Sequence, residues 1–356
     1  MTLRTLLSER LRSHRLSAPA RTPVAAAEHM LAVQAQDFGA GRWALAARSA
    51  GSPTMDAVDT AFDEGALVRT WPMRGTLHIL PACDVRWVLG LTADRQRRQD
   101  AGRMRELGID DAVVGRARDV LVAALSGGGL ARAELFAAWM SAGIDPGGQR
   151  GNHLLAELSW QGLIVQGPVV HRDGAASREQ CFVLADGWLP DVPAPDDPLA
   201  EFFLRYVDGH GPATAEDFAW WSGLTLTQAR DAAARGAVRT DRITEVDEGV
   251  FLARTRPRRS PKANGVLTLG AFEEFYISYA DRSPVADAAA QKATGPGRNG
   301  MVRPIILAEG RIVGNWTHSL AVGRHREEPV AEMLDPAIDP GDVRAALSRY
   351  ADFVTG

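Results

Sequence analysis

The chain reads as mainly α-helical with small β-hairpins, arranged as three tandem groups of helices each followed by a hairpin, plus a C-terminal α/β segment. Three observations lead there. Apolar residues recur at helical spacing along stretches that open on capping residues and close on glycine. Short β-prone runs flank turn residues after each helical group. The order then returns three times along the chain, which is the mark of an internal repeat.

The arginine-rich start carries Leu3, Leu6, Leu7 and Leu11 on one helix face. It reads as the amphipathic first helix of a folded domain, with no signal-peptide pattern; an organellar transit peptide is the lesser alternative. Thr22-Pro23 supplies an N-cap and a proline at the first helical position. The Ala-rich helix that follows is expected to stop near Val33, because Asp37-Phe38-Gly39-Ala40-Gly41 is turn-rich. A third helix covers 54–63, with Met55, Val58 and Phe62 on one face, and residues 67–81 form two β-prone runs around Pro72 to Gly75. Three helices followed by a hairpin is the order of a winged helix, here over residues 1–83.

The second copy, 84–190, has helices around 84–97, 111–125, 130–143 and 149–161, then strands over 162–167 and 179–184. Four prolines within residues 190–198 exclude regular structure and mark 191–198 as a linker. The third copy, 199–262, runs through helices at 199–208 and 214–221, a turn at Gly223, a helix from Thr227 and strands within 243–253. From 263 to 356 the character changes to an aromatic stretch at 272–282, a hairpin over 301–316 turning at Glu309-Gly310, and a closing helix at 340–353.

A length of 356 residues suits two or three compact units, and 46% hydrophobic with 24% charged residues is ordinary for a globular protein. No run is apolar over a membrane-spanning length. Cys83 and Cys181 belong to no CxxC or Cys/His cluster, so no metal, cofactor or disulfide framework is expected, and the chain reads as cytoplasmic.

The net charge of −4 excludes a bulk polycation, so any nucleic-acid surface must be local. Arg254, Arg256, Arg258, Arg259 and Lys262 fall within nine residues free of acid. Residues 288–308 also lack any acid and carry Lys292, Arg298 and Arg303 among glycines 295, 297 and 300. Arg95, Arg97 and Arg98 form a third knot. Basic, glycine-rich loops let a backbone approach phosphates. Arg42, Arg74 and His78 complete the candidate DNA contacts. Trp71 reads as core, and Trp139, Trp160, Trp220 and Trp221, at helical spacings, read as packing.

The most informative stretch is Gln34-Ala35-Gln36. Side chains at i and i+2 point the same way only on an extended chain. Two carboxamides can neither yield a proton nor attack, but each offers an acceptor and two donors. Such a pair can orient a water molecule or a base edge; the plain alternative is a polar helix C-terminus.

Taken together these stretches resemble the AlkZ/YcaQ family of bacterial DNA glycosylases, built from tandem winged helices. The resemblance is carried by Val33-Gln34-Ala35-Gln36-Asp37, by residues 70–78 (Thr-Trp-Pro-Met-Arg-Gly-Thr-Leu-His), by Tyr279-Ala280-Asp281-Arg282-Ser283 and by Asn299-Gly300-Met301-Val302-Arg303-Pro304. It implies that Gln34 and Gln36 are catalytic, and Gln36 in place of aspartate points to the AlkZ-like branch. It further implies double-stranded DNA carrying N7-alkylated guanine as the substrate, interstrand crosslinks included, with residues 303–316 matching a hairpin tied to crosslink processing. N7 alkylation makes the purine a cationic leaving group, so what is left to supply is an oriented water at C1′. Asp37 is a candidate acceptor for that water's proton. No lysine lies near the motif, so a monofunctional enzyme is expected. The competing readings are a non-catalytic tandem winged-helix regulator and an interaction scaffold. Three fused repeats lack the two-fold logic of an operator binder, which counts against the regulator; the chain is read as a monomer.

Overall fold

The computed structural model describes residues 1–171, 179–255, 265–298, 300–318 and 328–356. Its elements run α1 (Leu3–Ser13), α2 (Pro23–Met30), β1 (Val33–Gln34), α3 (Phe38–Ala47), α4 (Met55–Asp63), β2 (Leu67–Met73) and β3 (Thr76–Pro81). Next come α5 (Val85–Glu106), α6 (Asp111–Leu125), α7 (Arg132–Ser141), α8 (Arg150–Trp160), β4 (Ile164–Val169), β5 (Gln180–Leu184) and α9 (Ala185–Trp188). Then follow α10 (Pro198–His210), α11 (Ala215–Ser222), α12 (Leu226–Arg239), β6 (Ile243–Asp247) and β7 (Val250–Ala253). The C-terminal part holds β8 (Leu267–Leu269), α13 (Glu274–Ile277), α14 (Ala288–Thr294), β9 (Ile305–Ala308), β10 (Arg311–Thr317), β11 (Val330–Met333) and α15 (Pro340–Thr355). The fold is mainly helical with small antiparallel sheets. Among the described residues no helix is long and apolar enough to cross a membrane.

Two compact units result, one of Met1–Val58 with Leu199–Gly356 and one of Asp59–Pro198. The grouping is discontinuous in sequence, and its second junction falls at the end of the proline-rich segment.

Within the unit 59–198, α6, α7 and α8 close over a core that includes Leu121, Leu135, Trp139, Leu154 and Leu158. The indole N–H of Trp139 donates to the Ala117 carbonyl at 2.9 Å, so the ring is buried without an orphaned donor. Strands β3, β2, β4 and β5 lie side by side, antiparallel throughout. The β2–β3 turn is Arg74-Gly75, both with positive φ (56° and 65°), the primed geometry that suits a two-residue hairpin.

In the other unit, β11, β10, β9 and β8 form an antiparallel sheet, while β6 and β7 form a separate ribbon. The β9–β10 turn is Glu309-Gly310, at φ 50° and 81°, where the sequence placed it. Helices α3 and α15 pack on β8, tied by hydrogen bonds from Trp43 Nε1 to the Thr268 carbonyl (2.9 Å) and from Thr268 Oγ1 to the Ala346 carbonyl (2.8 Å).

Candidate active site

Helix α2 starts as expected: Thr22 accepts from the Ala25 N–H at 3.1 Å and Pro23 takes the first helical position. It ends at Met30, earlier than expected, because Leu31 adopts φ 64°. That conformation is costly for a branched side chain and is held by complete burial of Leu31. The chain then runs extended through Val33–Gln34 and bends at Gln36 and Asp37.

The turn-rich segment is in fact the start of α3. Asp37 is its N-cap, with Oδ1 accepting from the Ala40 N–H at 3.0 Å. Gly39 and Gly41 lie inside the helix on buried faces, where small residues allow close packing. A Cβ on Gly270 would meet Ala40 at 3.0 Å, which shows how tight that approach is. The glutamines therefore occupy the short connection between α2 and the largely buried α3. Gln34 is 7% exposed and Ala35 fully buried. Gln36 is exposed.

Gln34 is anchored through its backbone: its N–H donates to Glu274 Oε1 at 2.6 Å. Glu274 opens α13 and is completely buried. Its Oε2 accepts from Trp221 Nε1 (3.0 Å) and from the Ser278 hydroxyl. His210 Nε2 lies 3.5 Å from the same oxygen.

A second carboxylate, Glu273, is paired with Arg48, both side chains without exposed surface, and Glu273 Oε1 also accepts from the Phe275 N–H at 3.0 Å. Arg48 reaches on to His14 Nδ1 (3.3 Å), and His14 Nε2 lies 2.8 Å from the Tyr279 hydroxyl. Tyr279 donates its own proton to the His210 carbonyl at 2.6 Å, so His14 must donate through Nε2 and accept Arg48's proton at Nδ1. This assigns a neutral His14. Burial, reinforced by His210 and then Arg48, holds its pKa well below the ordinary histidine value. Burial likewise lowers His210 and raises the Tyr279 phenol. The floor beneath Gln34 is thus a closed network of Glu274, His210, Tyr279, His14, Arg48 and Glu273. None of these was singled out as functional in the sequence. The signal was there in Glu273-Glu274, two acids beside the apolar and aromatic residues Phe272 and Phe275-Tyr276-Ile277.

The remaining candidates divide. Arg42 has no exposed surface: it lies four residues after Phe38 on the inward face of α3, its guanidinium carbon 4.3 Å from that ring's centroid. His78 is also fully buried, its Nε2 3.2 Å from Arg74 Nη2 and its Nδ1 3.0 Å from the Thr76 carbonyl. Neither presents its side chain for a phosphate contact, which corrects the expectation. Arg74 is partly exposed at its hairpin tip, and Arg254 and Arg298 are exposed. Arg303 is ion-paired with Glu332 at 2.7 Å. Arg256, Arg258 and Arg259 lie outside the described residues. Trp139, Trp160 and Trp221 are packed as expected, but Trp220 is 47% exposed. Among the described residues, no group of three His, Cys, Asp or Glu is placed to hold a metal ion.

Comparison with known proteins gives the family and the fold. A family model described as DNA glycosylase AlkZ-like matches residues 27–353. A relative from Streptomyces sahachiroi, named an interstrand DNA cross-link repair glycosylase, is 26% identical over 303 residues, covering 80% of this chain and 79% of its own. The solved structure of the Streptomyces sahachiroi DNA glycosylase AlkZ superposes with a TM-score of 0.71 at 23% identity, over 99% of this chain and 97% of that one. At that identity the likeness is one of fold. With the family model spanning residues 27–353, most of the chain, the chain belongs to the AlkZ-like family of DNA glycosylases.

Proposed function

We propose that this DNA glycosylase excises N7-alkylated guanine from double-stranded DNA as a monomer, with Gln34 and Gln36 orienting the water that attacks C1′. Interstrand crosslinks bridging two such guanines are included among its substrates, by analogy with the relative's name. The observation that carries the reading is the pinning of Gln34's backbone to buried Glu274 while Gln36 stands exposed two residues on. Preorganised dipoles act at no reorganisation cost during the reaction, and carboxamides need no change of protonation to do so.

The step balances simply. The C1′–N9 bond breaks with its electron pair moving onto the purine, which cancels the positive charge that alkylation created. Water oxygen bonds to C1′, and its proton leaves to an acceptor. Asp37 is the nearest carboxylate in sequence; its Oδ1 caps α3, which leaves Oδ2 for that proton. The products are a free neutral alkylguanine and an abasic site. A crosslinked guanine is tethered to the opposite strand and cannot be fully extruded, so an open groove suits the site better than a closed pocket.

We read residues 1–83, 84–190 and 199–262 as three winged-helix modules, with 191–198 as linker and 263–356 as the C-terminal segment. The support is the element order: α2–α3–α4 before β2–β3, α6–α7–α8 before β4–β5, and α10–α11–α12 before β6–β7.

The test is incubation of the purified protein with duplex DNA treated with a nitrogen mustard, followed by mass spectrometry of released bases. Wild type should free N7-alkylguanine. The double variant Gln34→Ala/Gln36→Ala should free none while still binding DNA. Undiminished release by the double variant would sink the assignment of the glutamines.

A further inference from the structure

Trp220 and Trp221 are neighbours on α11 and turn opposite ways. Trp221 is fully buried and donates to Glu274 Oε2 at 3.0 Å. Trp220 is 47% exposed, yet its indole N–H donates to the Ile277 carbonyl at 2.8 Å. The two tryptophans thus grip both ends of α13, the one-turn helix whose first residue holds Gln34. A ring tethered by its only polar atom is fixed in orientation while much of its surface stays in water.

Arg282 stands beside it. Its guanidinium carbon is 5.3 Å from the Trp220 ring and 5.1 Å from the Tyr276 ring. Tyr276 is buried and its hydroxyl donates to the Gly295 carbonyl at 2.6 Å, so one wall of this notch is rigid. Among the described residues no carboxylate pairs with Arg282. The adjacent Asp281 is taken up locally, accepting from the Ser283 N–H (2.9 Å) and Ser283 Oγ (3.0 Å). The acid-free stretch 288–308 follows, with Lys292 and Arg298 exposed.

A fixed, half-exposed indole beside an unneutralised guanidinium matches a ligand that is flat, aromatic and negatively charged at its edge. In a DNA-acting enzyme that ligand is an unstacked nucleobase with its phosphate. Bases stack on aromatic side chains with little regard to sequence, and arginine adds cation–π and phosphate contacts. We infer that Trp220 and Arg282 form a stacking platform for one base displaced from the duplex beside the reacting nucleotide. Trp220 takes the ring face and Arg282 the adjoining phosphate. The inference rests on the glycosylase reading of the same unit and adds to it a holder for the base whose stack the reaction disturbs. Trp220 is tethered to the last residue of the one-turn helix whose first residue anchors Gln34, which ties the platform to the reacting centre.

The test measures binding of full-length protein to a duplex with one bulged, unpaired base and to the fully paired duplex, at equal salt. Wild type should prefer the bulged duplex. Trp220→Ala should lose that preference by about five- to a hundred-fold. Arg282→Ala should weaken both duplexes and steepen less with salt. Trp220→Phe is the discriminating variant, since it keeps a ring but cannot donate to Ile277. Near-wild-type binding by Trp220→Phe supports stacking. If Trp220→Phe fails as badly as Trp220→Ala, the indole serves only to brace α13 and the platform is overturned. Release of N7-methylguanine by the same preparations separates the two layers. A wild type that releases nothing overturns the glycosylase chemistry itself. A wild type that releases base, with Trp220→Ala binding the bulged duplex unchanged, overturns the platform alone.

Discussion

The backbone N–H of Gln34 and the Oε1 of Glu274 meet at 2.6 Å across 240 positions of sequence. Glu274 touches no exposed surface, so its action on any reaction is through the peptide it holds. Replacing it by alanine would strand three buried donors, on Gln34, Trp221 and Ser278. Each costs about 1–3 kcal/mol unpaired, so Glu274→Ala should lose about 3 kcal/mol or more in urea unfolding. Glu274→Gln keeps an acceptor for Gln34 but turns its NH2 toward other donors. Its excision rate in single turnover should fall while DNA affinity holds. An equal fall in both would make Glu274 a stabiliser only.

The Arg48–Glu273 pair is sealed from water, and Arg48 also donates to the Ala44 carbonyl at 3.0 Å. Removing one partner of a buried pair leaves an uncompensated charge, which costs about 3–5 kcal/mol. Arg48→Met and Glu273→Leu should each show a loss of that order by denaturant titration. The double variant should recover part of it, because a fully apolar replacement strands no charge. Additive losses in the double-variant cycle would show that the two groups do not act as a pair.

Acid should weaken this fold earlier than its carboxylates alone would. His29 is lowered to about 3, chiefly by burial and next by Arg15, whose Nη2 lies 3.1 Å from its Nδ1. Its Nε2 donates to the Ser13 carbonyl at 2.7 Å, the neutral tautomer that this arrangement requires. His14 and His210 are lowered as well. Unfolded histidines titrate near 6.5, so below that pH the unfolded chain binds protons that the folded chain refuses. Stability therefore rises with pH across the window from about 3 to about 6.5 for His29. The urea midpoint should drop between about pH 7.5 and about pH 5, and His29→Gln should make the drop shallower. A midpoint constant over that interval would contradict the neutral assignments.

Much of the architecture was legible in local chemistry, because caps, turns and periodicity are local. The Arg74-Gly75 and Glu309-Gly310 turns and the capping box of Thr214 with Asp217 all fall where residue types place them. The start of α3 was not legible, since Gly39 and Gly41 signal a turn locally and their burial inside a helix is a tertiary matter. The stop of α2 was hidden for the opposite reason: Leu31 at φ 64° is held there by its surroundings, with no glycine to announce it. Arg42 and His78 were chosen by charge without knowledge of burial, and burial decides what a charge can reach. Trp220 was taken for packing because helical spacing cannot say which of two adjacent indoles turns outward.

The observed cap at Asp37 and the proton acceptance proposed for it are separable by a pair of substitutions. As N-cap it accepts from the Ala40 N–H at 3.0 Å, and Asp37→Ala should lose about 1 kcal/mol of stability. Asparagine caps nearly as well, so Asp37→Asn should unfold like wild type. An amide cannot take a proton at neutral pH. If Asp37 accepts the proton of the attacking water, Asp37→Asn should slow excision by about a hundredfold or more with stability intact. If Asp37→Asn excises at the wild-type rate, the proton goes to solvent. The carboxylate then contributes by starting α3 and holding Gln36 at its threshold, and the alkylated purine's own charge accounts for the ease of the step.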